Sequence, residues 1–223
     1  MRNKSHALMG RILLREYLPG LPKASEKAFL IGCIQPDKNP ATYFKGSLRS
    51  QWMRGHNYSN ASRYMMRLAL RLDGKTHLSV WDCYCLGKLI HYTLDAFTFA
   101  HDLRFSKSLQ AHRVYEVRLQ NFFLAQVRRR PIPASRFQGS PAVLIRSMHA
   151  AYARLPGSIE TDTDFAFRTS CLLTQRLTAG LSRQHPTAGR SDGSRTVSSI
   201  PMPAAGPPAN RNHLLRGRGN EIE

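Results

Sequence analysis

The chain has 223 residues, with 33 Lys and Arg against 14 Asp and Glu, which gives a formal net charge of +19 at pH 7. This length suits one sizeable domain with a tail and is too short for two full domains. No apolar run approaches the roughly 20 residues needed to cross a bilayer, which excludes a transmembrane protein. The charge favours an anionic partner, either nucleic acid or an acidic membrane surface, although biased coding composition explains it equally well.

The N-terminal stretch indicates a first core helix rather than an export signal. Basic residues and Glu16 interrupt the segment RILLREYL before an apolar core of signal-peptide length builds up. The four cysteines form neither a CxxC pair nor a disulfide framework, so we expect reduced thiols. Together these features predict a cytoplasmic protein, with a peripheral position at the inner membrane surface as an open alternative.

Helical periodicity predicts two helices in the middle of the chain. The first follows a cap at Ser59 or Asn60 and stops at Asp73. The second opens with a capping box made by Ser79 and Asp82 and runs to about residue 95. Its apolar neighbours predict that this second helix is buried on nearly every side.

Three further helices are predicted downstream. One spans residues 108 to about 127, and another begins at the Ser140-Pro141 cap and ends near residue 154. The last is capped by Thr161 or Asp162. Long irregular connections are expected at about 18–60 and 99–107. The prediction is therefore an all-α domain of about six helices over residues 1–180.

The amino-acid composition changes from residue 181 onward. Residues 181–223 are rich in Pro, Gly, Ser and Ala and nearly free of aromatics. Such a segment buries too little apolar surface to offset its ordering entropy. We expect a disordered basic tail.

Two histidine and carboxylate pairs stand out against the apolar background. His91 and Asp95 are four residues apart and share one helix face, and His112 and Glu116 repeat that spacing on the next predicted helix. Each pair alone could satisfy its own hydrogen bonds in a core. Two pairs together with His101 favour a site. Imidazole and carboxylate donors without cysteine suit catalytic zinc, and five such residues exceed one tetrahedral ion.

The order of these residues resembles the bacterial zinc-dependent phospholipase C family and its relatives, the single-strand-specific zinc nucleases. His91-Tyr92-x-x-Asp95 followed by His101 matches the family pattern H-Y-x-x-D with a further His, and the segment HRVYE at 112–116 matches H-x-x-Y-E. The resemblance spans roughly residues 1 to 120. One departure is Phe99, which stands where a proline is common.

Weaker matches lie upstream in the segments GCIQPD and GHNY and in an early histidine. The resemblance implies three zinc ions with a shared ligand. The first would take Asp37, His56, His91 and Asp95; the second His101, His112 and Glu116; the third His6, the Met1 backbone amine and carbonyl, and the bridging Asp95. The resemblance also implies that Asp37 acts as the general base.

The implied activity is hydrolysis of a phosphodiester, most closely a phospholipid, by water activated at two to three zinc ions. A contact with anionic membrane would fit the net charge. Two alternatives stay open: a single-strand nuclease or other phosphodiesterase acting on nucleic acid, and a helical protein that binds metal without turnover.

Overall fold

The part of the chain that the structure describes, residues 1–38, 57–102, 104–105 and 108–181, is built from helices, with no strand among them. The structure is a computed structural model, and these residues belong to one unit, Met1–Pro186. In chain order the helices are α1 (Asn3–Tyr17), α2 (Lys23–Lys38), α3 (Tyr58–Leu72), α4 (Val80–Ala96), α5 (Leu109–Gln126), α6 (Pro141–Ala153) and α7 (Ile159–Thr178). Short 3₁₀ turns lie at Phe99–His101 and Val127–Arg129. The all-α prediction is confirmed.

Helix α4 lies at the centre of the domain and packs against α1, α2, α3 and α7. Its start is set locally, as predicted: Ser79 Oγ accepts a hydrogen bond from the Asp82 N–H, and Asp82 Oδ2 accepts one from the Ser79 N–H. Arg71 and Lys75 also bind the Asp82 carboxylate. Most of the helix beyond this cap is buried, polar His91 and Asp95 included. Two polar residues are therefore carried into the core.

Helices α2 and α4 run in the same direction and meet backbone to backbone. Phe29 faces Gly87, and one turn further Cys33 faces His91. A Cβ on Gly87 would overlap the Phe29 carbonyl, and one on Gly32 would overlap the backbone of α4. Only glycine allows this approach. The close packing brings the end of α2 beside the second half of α4.

Helix α2 corrects the sequence prediction, which placed an irregular connection at 18–60. Gly32 and Pro36 both disfavour a helix interior, which is why the segment did not appear helical. In the fold, Gly32 serves the contact with α4, and Pro36 falls in the last turn of Lys23–Lys38. Tertiary packing outweighs the local propensity here.

Two predicted caps are also wrong by a few residues. The cap of α3 is Asn57, whose side chain accepts from the Asn60 N–H, rather than Ser59 or Asn60. The cap of α7 is Ser158, which accepts from the Thr161 N–H. Asp162 is instead turned into the interior. The caps predicted at Ser79 and Ser140 are confirmed, and the helix predicted from residue 108 is capped by Ser108.

Three further expectations concern the cysteines, membrane-spanning helices and the C-terminal tail. All four cysteines are buried and free. Within the described ranges, no helix combines the length and apolar character that crossing a membrane requires. The predicted tail from residue 182 onward lies outside the described residues, so the boundary at 180/181 and the disorder of the tail stay predictions.

Candidate metal centre

Seven side chains from five elements form two adjacent groups of metal-ligand type. The inner group consists of His6 from α1, Asp37 from α2, and His91 and Asp95 from α4. The outer group consists of His101 from the 3₁₀ turn and His112 and Glu116 from α5. Within each group the candidate donor atoms lie within 4.8 Å of one another. The fold therefore brings the two histidine and carboxylate pairs of the sequence together with His6, Asp37 and His101.

The inner group is arranged around Asp95. Asp95 Oδ2 lies 3.2 Å from His91 Nε2, and Asp95 Oδ1 lies 3.3 Å from His6 Nε2. Asp37 approaches the same two histidines from α2, with Oδ1 3.5 Å from His91 Nε2 and Oδ2 3.8 Å from His6 Nε2. The two imidazole rings stack at 4.1 Å. His6, His91 and Asp95 are fully buried, whereas Asp37 is 16% exposed.

The outer group surrounds Glu116 and is more open. His101 Nε2 lies 3.1 Å from Glu116 Oε1, and His112 Nε2 lies 3.6 Å from Glu116 Oε2. The rings of His101 and His112 stack at 5.4 Å. All three side chains keep some exposure, between 13% and 25%. The outer group is therefore partly accessible to water.

The Met1 amino group lies between the inner and outer groups. It is buried and donates to Asp95 Oδ1 at 2.6 Å, and it is 3.3 Å from Glu116 Oε1 and 3.4 Å from His101 Nε2. The Met1 carbonyl oxygen lies 2.9 Å from His6 Nε2. Asp95 Oδ1 is also 3.5 Å from His101 Nδ1. Asp95 and Met1 thus join the two groups into one centre.

Electrostatics keep Asp95 and Glu116 charged. Burial opposes the ionised form of Asp95, but the Met1 ammonium and the nearby histidines outweigh it and hold the pKa of Asp95 well below its usual range. Burial likewise opposes ionisation of Glu116, and the Met1 ammonium and His101 lower its pKa nevertheless. Burial lowers the pKa of the Met1 ammonium, but attraction by Asp95, Glu116 and Asp37 prevails and raises it to about 10.

Two histidines of the centre, His91 and His112, are biased toward the neutral form. Burial, and then the neighbouring His6, lower the pKa of His91 to about 4. Burial and His101 lower the pKa of His112. Neutral imidazoles and ionised carboxylates are the forms that bind metal. Neutral pH therefore favours the metal-binding protonation states of His91, His112, Asp95 and Glu116. The Met1 ammonium would have to lose a proton before its nitrogen could bind a metal ion.

A backbone contact orients His91 within the inner group. Its Nδ1 donates to the Cys33 carbonyl oxygen at 3.0 Å, which leaves Nε2 directed at Asp95 and Asp37. Supporting hydrogen bonds of this kind fix the ring orientation of metal-binding histidines. The contact depends on the close packing of α2 against α4. Sequence reasoning missed it because α2 was not predicted.

The spacing of donor atoms suits zinc. Ligand atoms at 2.0–2.1 Å from a tetrahedral zinc are about 3.3 Å from each other. The imidazole-to-carboxylate distances in the two groups run from 3.1 to 3.8 Å. Two buried ring atoms, His6 Nδ1 and His101 Nδ1, have no hydrogen-bond partner within the described ranges. The donor set, its spacing and its charge state all fit zinc.

The structure places most of the predicted site residues in this centre. Met1, His6, Asp37, His91, Asp95, His101, His112 and Glu116 all lie there. The predicted ligand His56 lies outside the described residues. His6, predicted beside Met1 in a separate site, contacts both Met1 and the inner group. The roles of these residues as ligands stay predictions.

Comparison with known proteins gives one match. The family model for zinc-dependent phospholipase C matches residues 5–164 of the chain, a longer stretch than the 1–120 inferred from the motifs. Neither a curated protein nor a solved structure matches the chain. The match runs from α1 to the first turn of α7. It includes every residue of the inner and outer groups but not Met1. The chain belongs to the zinc-dependent phospholipase C family.

Proposed function

We propose that the protein is a zinc-dependent phosphodiester hydrolase of the phospholipase C type. The observation that carries the proposal is the position of Asp95, whose Oδ2 contacts His91 and whose Oδ1 contacts His6, Met1 and His101 of the outer group. A carboxylate between two donor groups is what a multi-zinc phosphodiesterase requires, because attacking and leaving oxygens both need stabilisation.

The residues divide among two or three ions in this proposal. The first zinc would be held by Asp37, His91 and Asp95 of the inner group together with His56, and the outer group would hold a second. The Met1 amine and carbonyl, His6 and Asp95 would hold a third, supported by the 2.6 Å and 2.9 Å contacts of Met1. Zinc bound there would supply a Lewis acid for the phosphate and lower the pKa of bound water toward about 7.

The chain itself supplies orientation and proton transfer. Asp37 is the one residue of the inner group with appreciable exposure, so its carboxylate is placed to accept the proton of the attacking water. Asp95 and Glu116 keep negative charge in the site, which favours binding of cations. In this proposal a phosphodiester approaches the centre from the side of the partly exposed outer group.

A phospholipid is the proposed substrate because the family that matches the chain acts through phospholipase C chemistry. The formal net charge of +19 supports a peripheral contact with anionic lipid, where each basic residue near the surface adds about 1 kcal/mol. The same charge would attract single-stranded nucleic acid. Substrate choice is therefore part of the test.

The test starts with zinc content. Protein purified without added metal or a histidine tag should carry about two to three zinc ions per chain. It should release the phosphorylated headgroup from phospholipid vesicles at two salt concentrations. Faster cleavage of single-stranded DNA under matched zinc would replace the lipid by a nucleic-acid substrate.

Two histidine variants sharpen the test. His91→Ala should abolish hydrolysis and lower the zinc content. His77→Ala is the matched control, because His77 is exposed and outside both groups, and it should behave as the wild type. A wild-type protein that carries no zinc, and regains none on addition, would contradict the proposal.

A further inference from the structure

Asp162 is a buried carboxylate that none of the metal-ligand motifs includes. It lies in the first turn of α7 and is fully buried. Its Oδ2 accepts from the Phe99 N–H at 2.7 Å and from the Tyr115 hydroxyl at 3.0 Å, and its Oδ1 accepts from the Tyr152 hydroxyl at 2.7 Å. Within the described residues no cation forms an ion pair with it.

Two of these partners belong to the segments that carry the outer group. Phe99 begins the 3₁₀ turn that ends at His101, and Tyr115 directly precedes Glu116 on α5. The first N–H groups of a helix have no partner within it, and here Asp162 accepts the one from Phe99. A single carboxylate therefore ties the turn and the helix to α7.

The side chain of Phe99 is held by the same part of the chain. A Cβ on Gly157, just before α7, would overlap the Phe99 ring, so the ring rests directly on the Gly157 backbone. The ring also contacts Phe105 edge to face at 5.6 Å and Tyr115 at 6.1 Å. Residues 157 to 162 thus contact the turn that ends at His101 in two ways. Gly157 packs against the Phe99 ring, and Asp162 accepts the Phe99 N–H.

The carboxylate of Asp162 is buried among donors from three other elements. Burial raises the pKa of Asp162 to about 6, although three donors favour its ionised form. A buried carboxylate without a cation is costly, but an apolar side chain here would leave the Phe99 N–H and two tyrosine hydroxyls without their acceptor. What Asp162 provides and an apolar residue lacks is a fixed distance between the 3₁₀ turn and α5.

We propose that Asp162 is a positioning residue that holds His101 and Glu116 at metal-binding distance. Gly157 assists by packing against the Phe99 ring. The inference rests on the proposed function, since it concerns the same centre. Residues that orient metal ligands typically change metal affinity or activity by about 10- to 100-fold when replaced. The hydrogen bonds that Asp162 accepts within the described residues come from Phe99, Tyr115 and Tyr152 and from no member of the inner group, so the effect should be confined to the outer group.

The experiment measures zinc affinity by competition with a chelator on the full chain. Asp162→Ala should release one zinc about 10- to 100-fold more readily than the wild type, with the remaining zinc unaffected. Tyr115→Phe removes only the tie to α5 and should give a smaller change in the same direction. Asp162→Asn keeps one acceptor oxygen and should fall between Asp162→Ala and the wild type.

Asp82→Ala is the matched control. Asp82 is also a buried, hydrogen-bonded aspartate near a helix start, but it lies at the opposite end of α4 from Asp95, about 20 Å along the helix. This variant should lower the melting temperature and leave all zinc affinities unchanged. The pair separates loss of stability from loss of positioning.

Three outcomes decide the inference. A selective weakening of one zinc in Asp162→Ala supports it, and if that variant does not fold, the result for Tyr115→Phe decides in its place. Wild-type zinc affinity in both Asp162→Ala and Tyr115→Phe would overturn it while leaving the proposed function intact. A wild-type protein without zinc would overturn the proposed function, and the inference with it.

Discussion

The inner and outer donor groups are similar in chemistry and different in how the fold holds them. The inner group is formed by three packed helices, and three of its four side chains are fully buried. The outer group lies on a short 3₁₀ turn and the first half of α5, and each of its members is partly exposed. The comparison indicates that helix packing builds the inner group, whereas the outer group depends on support from α7.

Replacing the residue that both groups share should have the largest effect. Asp95→Ala removes the carboxylate in contact with Met1, His6, His91 and His101. We expect zinc loss from both groups and a fall in kcat/KM on the order of 10³-fold or more. Zinc analysis and phospholipid hydrolysis measure it. Retention of zinc by the outer group would show that the groups are independent.

Widening the contact between α2 and α4 should affect the inner group alone. Gly87→Ala forces α2 away, because the new Cβ would overlap the Phe29 carbonyl, and this moves Asp37 from His91. We expect a loss of about 1 to 3 kcal/mol in urea unfolding and weaker zinc binding by the inner group. Gly180→Ala is the control, since its Cβ would come no closer than 3.3 Å to a neighbouring atom. Equal effects of the two variants would contradict the role of the close packing.

Replacing a partly exposed histidine of the outer group should weaken metal binding without lowering the stability of the fold. His112→Gln removes an outer-group imidazole that is 25% exposed. We expect zinc there to bind at least about 10- to 100-fold more weakly. The free energy of unfolding of the metal-free protein should change by no more than about 0.5 kcal/mol. A large loss of stability would mean that the outer group also supports the core.

The smallest expected effect is on the pH dependence of stability and involves His149, which lies outside both groups. Burial lowers the pKa of His149 to about 4, with Asp102 opposing the shift, and its ring stacks on Tyr58 at 3.5 Å. A depressed folded pKa means that neutral His149 stabilises the fold above about pH 6.5, and this stability is lost as pH falls toward 4.

His149→Phe should therefore lose less stability than the wild type between pH 7 and pH 4.5. The expected difference is about 1 to 2 kcal/mol once partial exposure is allowed for. Urea unfolding of metal-free protein at the two pH values measures it. An equal loss in both proteins would assign the acid sensitivity to other groups.

Most local features of the fold were predictable, the caps of α3 and α7 excepted, and features that depend on distant contacts were not. The cap at Ser79 is correct because it involves residues three apart. Helix α2 was missed because Gly32 and Pro36 argue against a helix until α4 is packed beside them. Asp162 was taken for a cap because its partners, Phe99, Tyr115 and Tyr152, are distant in sequence or on other elements.

The sequence by itself determined the all-α class and the donors of the two helix pairs, because a spacing of four places side chains on one helix face. Only the tertiary structure decided how the pairs meet. The glycine contact between α2 and α4, the burial of Met1 against Asp95, and the hydrogen bonds of Asp162 set those positions. These are contacts between residues far apart in the chain, and their distances follow from packing rather than from any local pattern.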